Sequence, residues 1–509
     1  MSETSEVFQG RSRRAITVFT SGVSVVGTSF ALYGTSREFV IIAASRTALD
    51  ILPSSVVASI IWNFGDLSFS LALLVFGIAL AGVTGAVSYA GFRTGERLVE
   101  GAPNIGGMVL SLLAVWVFVA ATVWAPLPAI VPAAAGTIGT GLVIARSTDN
   151  SNGQPATPDD RRAFVKTLAG LGAYNVVAHA VGFVQGSGSQ TEDLSTSSSE
   201  REDESNPVEQ RLATAADRSF DVEGMTGLVD TTDSFFTVDI NPRPPTVETD
   251  SWTLSVTGNV ETEREFTYED LRQRETITRF KTLRCLGDPV DGEQIGTALW
   301  TGCSLMDLLS EAGANGSHVV FRAADDYYYS MPMSMLSDAM LAYGMNESQL
   351  PRQHGFPVRA LLPNRWGKLN VKWLDEIEVV DQSESGYWEE RGWNGMGTVN
   401  TVVKISTSNR LSDGRVQLGG HAYAGTDGIR AVLVSLDGGE TWDTATLSDQ
   451  LPDPDTWRQW KYEWQPERSS YTVIAKAIDG TGAEQTRVRS SPFPDGATGW
   501  SRLDLSVQL

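Results

Sequence analysis

The chain has 509 residues, of which 42% are apolar and 20% charged, and its formal net charge at pH 7 is −22. This composition excludes a disordered polymer, a collagen-like fibre and a disulfide-stapled miniprotein. The negative charge argues against nucleic acid as a partner, because excess carboxylates repel a polyanion.

The charge is distributed unevenly along the chain. Residues 1–150 hold eight acidic and eight basic residues, so the whole net charge falls in residues 151–509. Only seven of the 39 basic residues are lysines. An acidic, lysine-poor soluble part is typical of a halophilic protein, since carboxylates retain water and cations at high ionic strength; an ordinary acidic surface is the alternative. We therefore expect a membrane part followed by an acidic soluble part.

Apolar segments predict an α-helical membrane domain of about five spans over residues 1–186. A span needs about 20 apolar residues, because the hydrocarbon core is about 30 Å thick. Residues 105–145 are long enough for two spans that turn at Pro126 and Pro128. Residues 39–62 contain two charges and are predicted to form an interfacial or re-entrant loop. The other spans are predicted at residues 15–34, 67–90 and 167–186.

Residues 160–166, with the sequence DRRAFVK, resemble a twin-arginine export signal that precedes its apolar region. Alternatively, Arg161, Arg162 and Lys166 are ordinary flanking charges that keep this side of the span inside the cell. Both interpretations deliver everything after the fifth span to the outside. We therefore predict a multi-pass protein of the cell membrane whose soluble part is extracytoplasmic.

Two segments follow the predicted membrane domain. Residues 187–215 are acidic and rich in glycine and serine, which predicts a flexible linker. Residues 216–390 mix alternating strands, such as 252–258, with short helices at 268–272 and 305–312. This pattern predicts an α+β domain.

The last predicted domain, residues 398–509, consists of consecutive strands. The turn Asp437-Gly438-Gly439 separates two of them and is typical of a hairpin. The pattern predicts a β-sandwich. Its predicted strands include residues 416–424, 429–436, 441–447 and 471–478.

Several motifs in the soluble part resemble the molybdenum-cofactor domain of the sulfite oxidase family, and residues 434–442 (VSLDGGETW) resemble its immunoglobulin-like dimerisation domain. Together they cover about residues 230–509. The resemblance implies an oxidoreductase with a molybdenum-molybdopterin cofactor and a homodimer formed through the C-terminal domain. The motifs of the cofactor domain are residues 282–288 (TLRCLGD), 300–309 (WTGCSLMDLL), 342–346 (AYGMN), 350–351 (LP), 354–359 (HGFPVR) and 371–374 (VKWL).

The chain has two cysteines, and they follow neither a zinc-site nor a disulfide pattern. Cys285 matches the family's metal ligand, because a deprotonated sulfur stabilises a soft, high-valent metal and tunes its potential. Cys303 occupies an apolar position of its motif and is predicted to be structural.

Five residues match family positions that hold the pterin. His354 and Arg359 correspond to ligands of its phosphate, and Asn370, Val371 and Lys372 lie in a second stretch that contacts it. A phosphate needs such donors, since arginine offers a bidentate fork and lysine a point charge.

The segment Asp325–Pro332 resembles the family segment in which an aspartate contacts the pterin and a tyrosine points into the substrate pocket. Asp325 and Tyr327 match these two positions. A phenol beside the reacting oxygen can donate a hydrogen bond or a proton. Three consecutive aromatic residues are otherwise typical of a half-buried strand.

The chain departs from the family at two places where sulfite oxidases carry cations. Val238-Asp239-Ile240 replaces an Arg-Asn-His triplet, and Val290 replaces an arginine five residues past the thiolate. An anionic substrate needs a positive pocket, so these changes leave both an anionic and a neutral substrate open. The candidates to replace the missing cations are Arg243, Arg284 and Arg365.

Three functional hypotheses follow. The leading one is a membrane-anchored molybdenum-cofactor oxidoreductase that couples oxygen-atom transfer to two-electron transfer on a small sulfur oxyanion or oxide. The second is an S-oxide or N-oxide reductase of the same family. The third is a catalytically silent surface protein that serves binding or assembly.

The histidines restrict how electrons leave or enter. Of the four, only His179 lies in a predicted span, and there is no CxxCH motif, so no haem is expected in this chain. The sequence therefore implies a separate electron-transfer protein, either a cytochrome or a copper protein. The other histidines are His318, His354 and His421.

Overall fold

A computed structural model describes residues 18–32, 40–41, 44, 77–99, 102–123, 129–148, 207–241, 244–394 and 396–508. The chain divides into two compact units, Met1–Ser189 with Asn241–Arg243, and Gln190–Ile240 with Pro244–Leu509. The export signal predicted at residues 160–166, the span predicted at residues 167–186 and most of the predicted linker lie outside the described residues.

The described part of the first unit is helical. Apolar side chains of all four helices form one buried cluster that includes Val25, Leu80, Val115 and Ala133. The predicted hairpin over residues 105–145 is present as two helices that pack against each other. The helices are α1 (Val18–Leu32), α2 (77–98), α3 (Pro103–Val123) and α4 (Ile130–Thr148).

Hydroxyl groups and glycines line the contacts between these helices. The Oγ atom of Ser88 lies 2.9 Å from that of Ser111 and 2.5 Å from Oγ1 of Thr140. A Cβ atom on Gly95 would lie 2.0 Å from the carbonyl oxygen of Gly106, so these two helices approach closely. Small residues and interhelical hydroxyl bonds of this kind are typical of helices that pack within a bilayer.

The prediction of about five spans is wrong for the described residues, where one helix, Pro103–Thr122, is long and apolar enough to cross a membrane. Helix α1 is described over 15 residues only, fewer than a bilayer requires. Helix α2 ends in a charged stretch with Arg93, Glu96 and Arg97. The predicted interfacial loop at residues 39–62 lies almost entirely outside the described residues.

The second unit begins with helix α5 (Pro207–Arg218), which occupies the end of the predicted linker. Arg211 forms an ion pair with Asp453, and Arg218 donates to the carbonyl of Gln450. The flexible linker was therefore predicted too long, because its last residues dock on the folded domain.

The predicted α+β domain contains two five-stranded sheets. In the first, with order β2-β1-β10-β5-β6, β1 and β10 run parallel and the other neighbours antiparallel. The second has the order β3-β4-β7-β8, with β9 also paired to β7. The strands are β1 (Thr253–Gly258), β2 (Arg264–Thr267), β3 (Ile277–Arg284), β4 (Ile295–Ser304), β5 (His318–Ala323), β6 (Tyr328–Pro332), β7 (Met340–Met345), β8 (Ser348–Gln349), β9 (Arg359–Leu361) and β10 (Leu374–Val380).

Both predicted helices of this domain form with the predicted bounds, as α6 (Tyr268–Arg272) and α7 (Leu305–Ala312). Thr267 and Asp270 form a capping box that satisfies the first amides of α6. Helix α7 ends at Gly313, whose φ of 67° favours glycine. These local signals explain why such short helices were predictable.

The C-terminal domain is a sandwich of two four-stranded sheets, with orders β11-β12-β16-β15 and β14-β13-β17-β18. Val403, Leu418, Val432, Trp460 and Val473 form part of the core between them. The immunoglobulin-like connection of its strands stays a prediction. The strands are β11 (Val402–Arg410), β12 (Val416–Tyr423), β13 (Ile429–Ser435), β14 (Asp443–Thr444), β15 (Thr446–Leu447), β16 (Arg458–Trp464), β17 (Ser470–Asp479) and β18 (Ser501–Ser506).

One strand prediction in the sandwich is wrong. Residues 441–447 do not form a single strand, because Asp443–Thr444 pairs with β13 in one sheet and Thr446–Leu447 with β16 in the other. The buried Ala445 lies between them and donates its amide to the carbonyl of Val432. The chain crosses from one sheet to the other at this point.

Candidate active site

Cys285 follows the last residue of β3, in the turn that leads toward β4. Its amide donates to the carbonyl of Gln294 at 2.9 Å, and its Sγ accepts from the amide of Gly287 at 3.4 Å. Burial raises the pKa of the Cys285 thiol to about 11, so the metal-free thiol is protonated at neutral pH. A metal ion held by Cys285 would favour the deprotonated thiolate, which is the form of this partly exposed cysteine that binds a metal.

A buried ion-pair network fixes the turn after Cys285. Oδ2 of Asp288 accepts from Nε of Arg284 at 3.0 Å and from Nζ of Lys404 at 2.7 Å. Lys404 belongs to β11, so this network also joins the oxidoreductase-like domain to the sandwich. Arg284 also donates to the carbonyl of Asn400 at 3.0 Å.

Three arginines were candidates to replace the family's missing cations, and the structure describes two of them. Arg284 is fully buried and forms an ion pair with Asp288, so its charge is not available to a substrate. The guanidinium of Arg365 donates to the carbonyl of Met396 at 3.5 Å. Arg243 lies outside the described residues.

Arg359 is a buried guanidinium on β9. It donates to the carbonyls of His354 at 3.0 Å and Asn370 at 3.1 Å, and it lies 5.0 Å from the ring centre of Trp300. Its Nε has no hydrogen-bond partner, and burial lowers its pKa to about 9. A buried cation with an unused donor fits an anion such as the pterin phosphate.

Lys372, also predicted to hold the pterin, is bound by protein groups. Its Nζ forms an ion pair with Asp239 and donates to the carbonyl of Gln353 at 3.1 Å. Burial lowers the pKa of Lys372, and the carboxylate of Asp239 opposes this shift. Asp239 stands in the segment that replaces the family's Arg-Asn-His triplet. A phosphate at Lys372 would therefore compete with this carboxylate.

His354 lies in the turn Arg352–His354, and its carbonyl accepts from Arg359. Its ring packs edge-on against Phe235 at 5.5 Å, and Nε2 donates to the carbonyl of Thr232 at 3.1 Å. Burial, assisted by the charge of Arg359, lowers the pKa of His354 to about 3. The imidazole is therefore neutral, and a bound anion that offsets Arg359 would favour its protonation.

The side chain of Asn370 shapes the backbone rather than facing an open site. Its Oδ1 accepts from the amide of Leu362 at 2.8 Å, and its Nδ2 donates to the carbonyl of Trp366 at 2.9 Å. Val371 is buried, and its carbonyl accepts from the amide of Ala360. Both residues hold the loop in place. In this loop the carbonyl of Asn370 accepts from Arg359, and Lys372 follows directly after Val371.

Tyr327 and Asp325 lie together at the start of β6. The amide of Tyr327 donates to Oδ1 of Asp325 at 3.1 Å, and its hydroxyl donates to the carbonyl of Lys368 at 2.7 Å. Burial raises the pKa of Tyr327 well above its usual range, and Asp325 and Cys285 raise it further. Burial also raises the pKa of Asp325 to about 7, while Lys372 opposes that shift. The pKa of Tyr327 thus depends on Cys285, and the pKa of Asp325 depends on Lys372, one of the residues predicted to hold the pterin.

Cys303 is fully buried in β4, opposite Leu341 of β7. Burial raises the pKa of its thiol. This environment agrees with the predicted structural role.

Two residues beside the thiol were not singled out by the sequence. Lys368 accepts the hydroxyl of Tyr327 on its carbonyl, and the ring of Trp393 lies 3.8 Å from where a Cβ on Gly287 would be. Lys368 could have been found from its sequence position, since it is a lysine two residues before the predicted pterin stretch. Trp393 carried no local signal, because its place depends on the fold.

Residues 241–388 match the model of the oxidoreductase molybdopterin binding domain, and residues 395–490 that of the Mo-co oxidoreductase dimerisation domain. Mitochondrial sulfite oxidase of Mus musculus is 32% identical over 227 residues, which cover 36% of this chain and 41% of that protein. The two matched domains therefore resemble proteins of the sulfite oxidase family. The family resemblance predicted from the sequence is thereby confirmed.

Further similar proteins are matched over different shares of their length. The sulfite oxidase of Arabidopsis thaliana is 26% identical over 318 residues, which cover 50% of this chain and 81% of that protein. The solved structure of the sulfane dehydrogenase SoxCD from Paracoccus pantotrophus aligns with a TM-score of 0.49 at 23% identity, covering 52% of this chain and 78% of that chain. The chain spans about two fifths of the length of the mammalian relatives.

The matched domain implies a molybdenum-molybdopterin cofactor and an oxidoreductase. The donors described above fit this group in two respects. Cys285 is a partly exposed cysteine at the end of β3, and Arg359 offers a buried cation with an unused Nε donor. Asp239 fits less well, because its carboxylate already neutralises Lys372.

Proposed function

We propose that the chain is a sulfite oxidase-like enzyme that couples oxygen-atom transfer to two-electron transfer on a small sulfur-containing substrate. The observation that carries this proposal is the buried Arg359 with its unpaired Nε, close to the stretch that ends in Lys372. Without an anionic cofactor to neutralise it, this buried cation would lower the stability of the folded protein. When bound, the molybdenum-molybdopterin group supplies the oxygen-atom and two-electron chemistry.

The residues of the chain hold this group and the substrate. Cys285 provides the sulfur ligand, and Arg359 and Lys372 provide the charges that bind the pterin phosphate. His354 supports the phosphate site by fixing Arg359 through its carbonyl. Asn370 keeps the neighbouring loop in place through its two backbone hydrogen bonds.

Tyr327 positions the substrate by hydrogen bonding. Its pKa lies well above neutral, so the phenol keeps its proton and acts as a donor. In the structure that proton is donated to the carbonyl of Lys368 at 2.7 Å. A substrate oxygen near Cys285 can accept the same hydrogen after a small rotation of the hydroxyl.

The oxidase direction is favoured by the match of residues 395–490 to a dimerisation domain, since the sequence resemblance associates that domain with oxidases. An S-oxide or N-oxide reductase is the second candidate. It is supported by the replaced cations, because Val290 and Ile240 are buried apolar side chains that cannot neutralise an oxyanion. The same dimerisation-domain match supports a homodimer.

Anchoring in a membrane is part of the proposal. It is supported by helix α3 and by large apolar side chains that are more than half exposed on the helices, such as Ile105, Val117 and Ile138. Hydroxyl pairs inside an apolar exterior suit lipid surroundings. We further propose an extracytoplasmic catalytic domain that exchanges electrons with a separate cytochrome or copper protein. Membrane fractionation and protease accessibility of residues 207–508 in intact cells test this arrangement.

Turnover of two substrates tests the activity. The full chain is expressed in a host that makes the pterin, purified in detergent and high salt, and assayed with sulfite plus ferricyanide and with dimethyl sulfoxide plus reduced viologen. Sulfite-dependent ferricyanide reduction that Cys285→Ser abolishes and Cys303→Ser retains is the expected result. Sulfoxide reduction without sulfite oxidation would establish the reductase instead. Inactivity in both assays with molybdenum present would contradict both assignments, and inactivity without metal would favour the catalytically silent protein.

A further inference from the structure

Lys368 lies in the turn Gly367–Leu369, which packs directly on the strand end that carries the thiol. A Cβ atom on Gly367 would lie 3.6 Å from Cα of Cys285. The carbonyl of Lys368 accepts the hydroxyl of Tyr327. The turn therefore contacts both the metal-binding strand end and the substrate-positioning phenol.

The ammonium group of Lys368 is held in place by neutral groups. Nζ donates to the carbonyl of Asn394 at 2.6 Å and lies 5.0 Å from the ring centre of Tyr329. Burial lowers the pKa of Lys368 to about 8, and the more distant carboxylates of Glu389 and Asp495 oppose that shift. Within the described residues, Lys368 makes no ion pair, although it is partly buried.

The other lysines of this domain and its border are neutralised. Each of these three buried lysines is paired with an aspartate, which offsets the cost of burying its charge. Lys368 differs from them, since no described carboxylate forms an ion pair with its ammonium group, and its charge is still available to an anion. The three pairs are Lys281 with Asp455, Lys372 with Asp239, and Lys404 with Asp288.

We propose that Lys368 is the substrate-binding cation of this enzyme and that it selects an anionic sulfur oxyanion over a neutral sulfoxide. This inference rests on the proposed function and names its substrate class. Lys368 takes over a charge that sulfite oxidases place on the residues replaced here by Val238 and Val290. The buried Arg284 cannot do so, because Asp288 neutralises it.

The donor count of the ammonium group agrees with this role. A lysine ammonium has three N–H donors, and Lys368 uses one of them on Asn394. The remaining donors and the hydroxyl of Tyr327 can bind oxygens of one oxyanion. An anion gains a charge-assisted hydrogen bond there, whereas a sulfoxide gains only a neutral one.

Sulfate, an inactive sulfur oxyanion, is the probe for the test. Its binding to the full-length holoenzyme is measured by titration calorimetry at pH 7 and constant ionic strength. Lys368→Met should weaken binding about 10- to 100-fold, while Lys368→Arg stays near wild type. Lys461→Met, which removes a lysine charge from β16 of the sandwich, is the matched control and should bind as wild type does.

The wild type provides a second measurement that needs no variant. Sulfate affinity should fall as the pH rises above about 8, because Lys368 then loses its charge. In turnover, Lys368→Met should raise KM for sulfite far more than it lowers kcat. Unchanged sulfate affinity in Lys368→Met, or affinity independent of pH between 7 and 10, would overturn the inference. Sulfate binding does not require turnover, so failure of the proposed activity is detected separately.

Discussion

The hydroxyl of Tyr327 donates a 2.7 Å hydrogen bond to the backbone carbonyl of Lys368. This bond holds the phenol against the turn that packs on the end of β3, next to Cys285. Tyr327 lies directly before β6, which belongs to the other sheet of the domain, so the bond connects the two sheets at the site. Because the partner is a backbone group, the position of the phenol depends on the turn Gly367–Leu369 and not on a side chain.

Tyr327→Phe should lower kcat about 100-fold with little change in KM, because the phenol acts on the group being transferred. Molybdenum content should be unchanged. Tyr328→Phe is the matched control, since Tyr328 is partly exposed and interacts with Glu390. Steady-state kinetics with sulfite decide the matter, and an equal loss in both variants would show that the effect is not specific to the phenol of Tyr327.

Arg359→Gln should release the cofactor without unfolding the protein. The substitution removes an unpaired buried cation together with its hydrogen bonds, so we expect the free energy of unfolding of the cofactor-free chain to change by less than about 1 kcal/mol. Pterin and molybdenum per chain should fall at least tenfold. The two quantities are measured by fluorescence of the oxidised pterin and by elemental analysis. Full cofactor retention in this variant would refute the phosphate assignment.

The two thiols should differ in reactivity. In the cofactor-free chain, alkylation of Cys285 should be slow at pH 8 and accelerate about tenfold per pH unit up to pH 10, because its pKa is about 11 and only the thiolate reacts. Cys303, with no exposed surface, should remain unmodified in the folded protein. Mass spectrometry of digested samples reads both sites. Cofactor loading should protect Cys285, and equal labelling of both cysteines would contradict their assigned roles.

His421 should make the protein less stable in acid. It is buried in β12, stacked on Trp457 at 3.9 Å, and donates from Nε2 to the carbonyl of Thr226 at 3.0 Å. Burial lowers its pKa to about 4, so only the unfolded state takes up a proton as the pH falls below its ordinary value of 6.5. The resulting loss of stability at pH 4.5 is about 2 kcal/mol.

Urea unfolding at pH 7 and pH 4.5 measures this contribution. His421→Gln keeps a hydrogen-bond donor but cannot be protonated, so it should lose less stability between the two pH values than the wild type. His354, with a pKa of about 3, adds a similar term that the variant retains. An identical loss in wild type and His421→Gln would exclude His421 as a cause.

Local signals made the short elements of the oxidoreductase domain predictable. The capping box at Thr267 marks the start of helix α6, and Gly313 marks the end of helix α7, so these helix bounds were predictable to the residue. The strand predicted at residues 441–447 failed because alternation does not reveal that the chain crosses between sheets at Ala445. The hydropathy pattern likewise overestimated the spans among the described residues, since an apolar stretch does not by itself fix the length of the helix that forms there.

Site residues were predictable where a sequence motif identifies their position, as for Cys285 and Arg359. Its charge balance was not, because neutralisation depends on contacts between distant segments. Asp239 lies 133 positions before Lys372 and still neutralises it, and Lys404 reaches Asp288 from the next domain. For the same reason the sequence offered Arg284 as a free cation and did not single out Lys368.

Molybdenum per chain, measured by elemental analysis, tests whether the protein is a molybdenum enzyme. The full chain is purified in high salt from a host that makes the pterin, as wild type and as Cys285→Ser. We expect close to one molybdenum per wild-type chain and no sulfite turnover in the variant, whether or not the pterin keeps some metal. A folded wild-type chain without molybdenum, from a host that loads other molybdoenzymes, would contradict it.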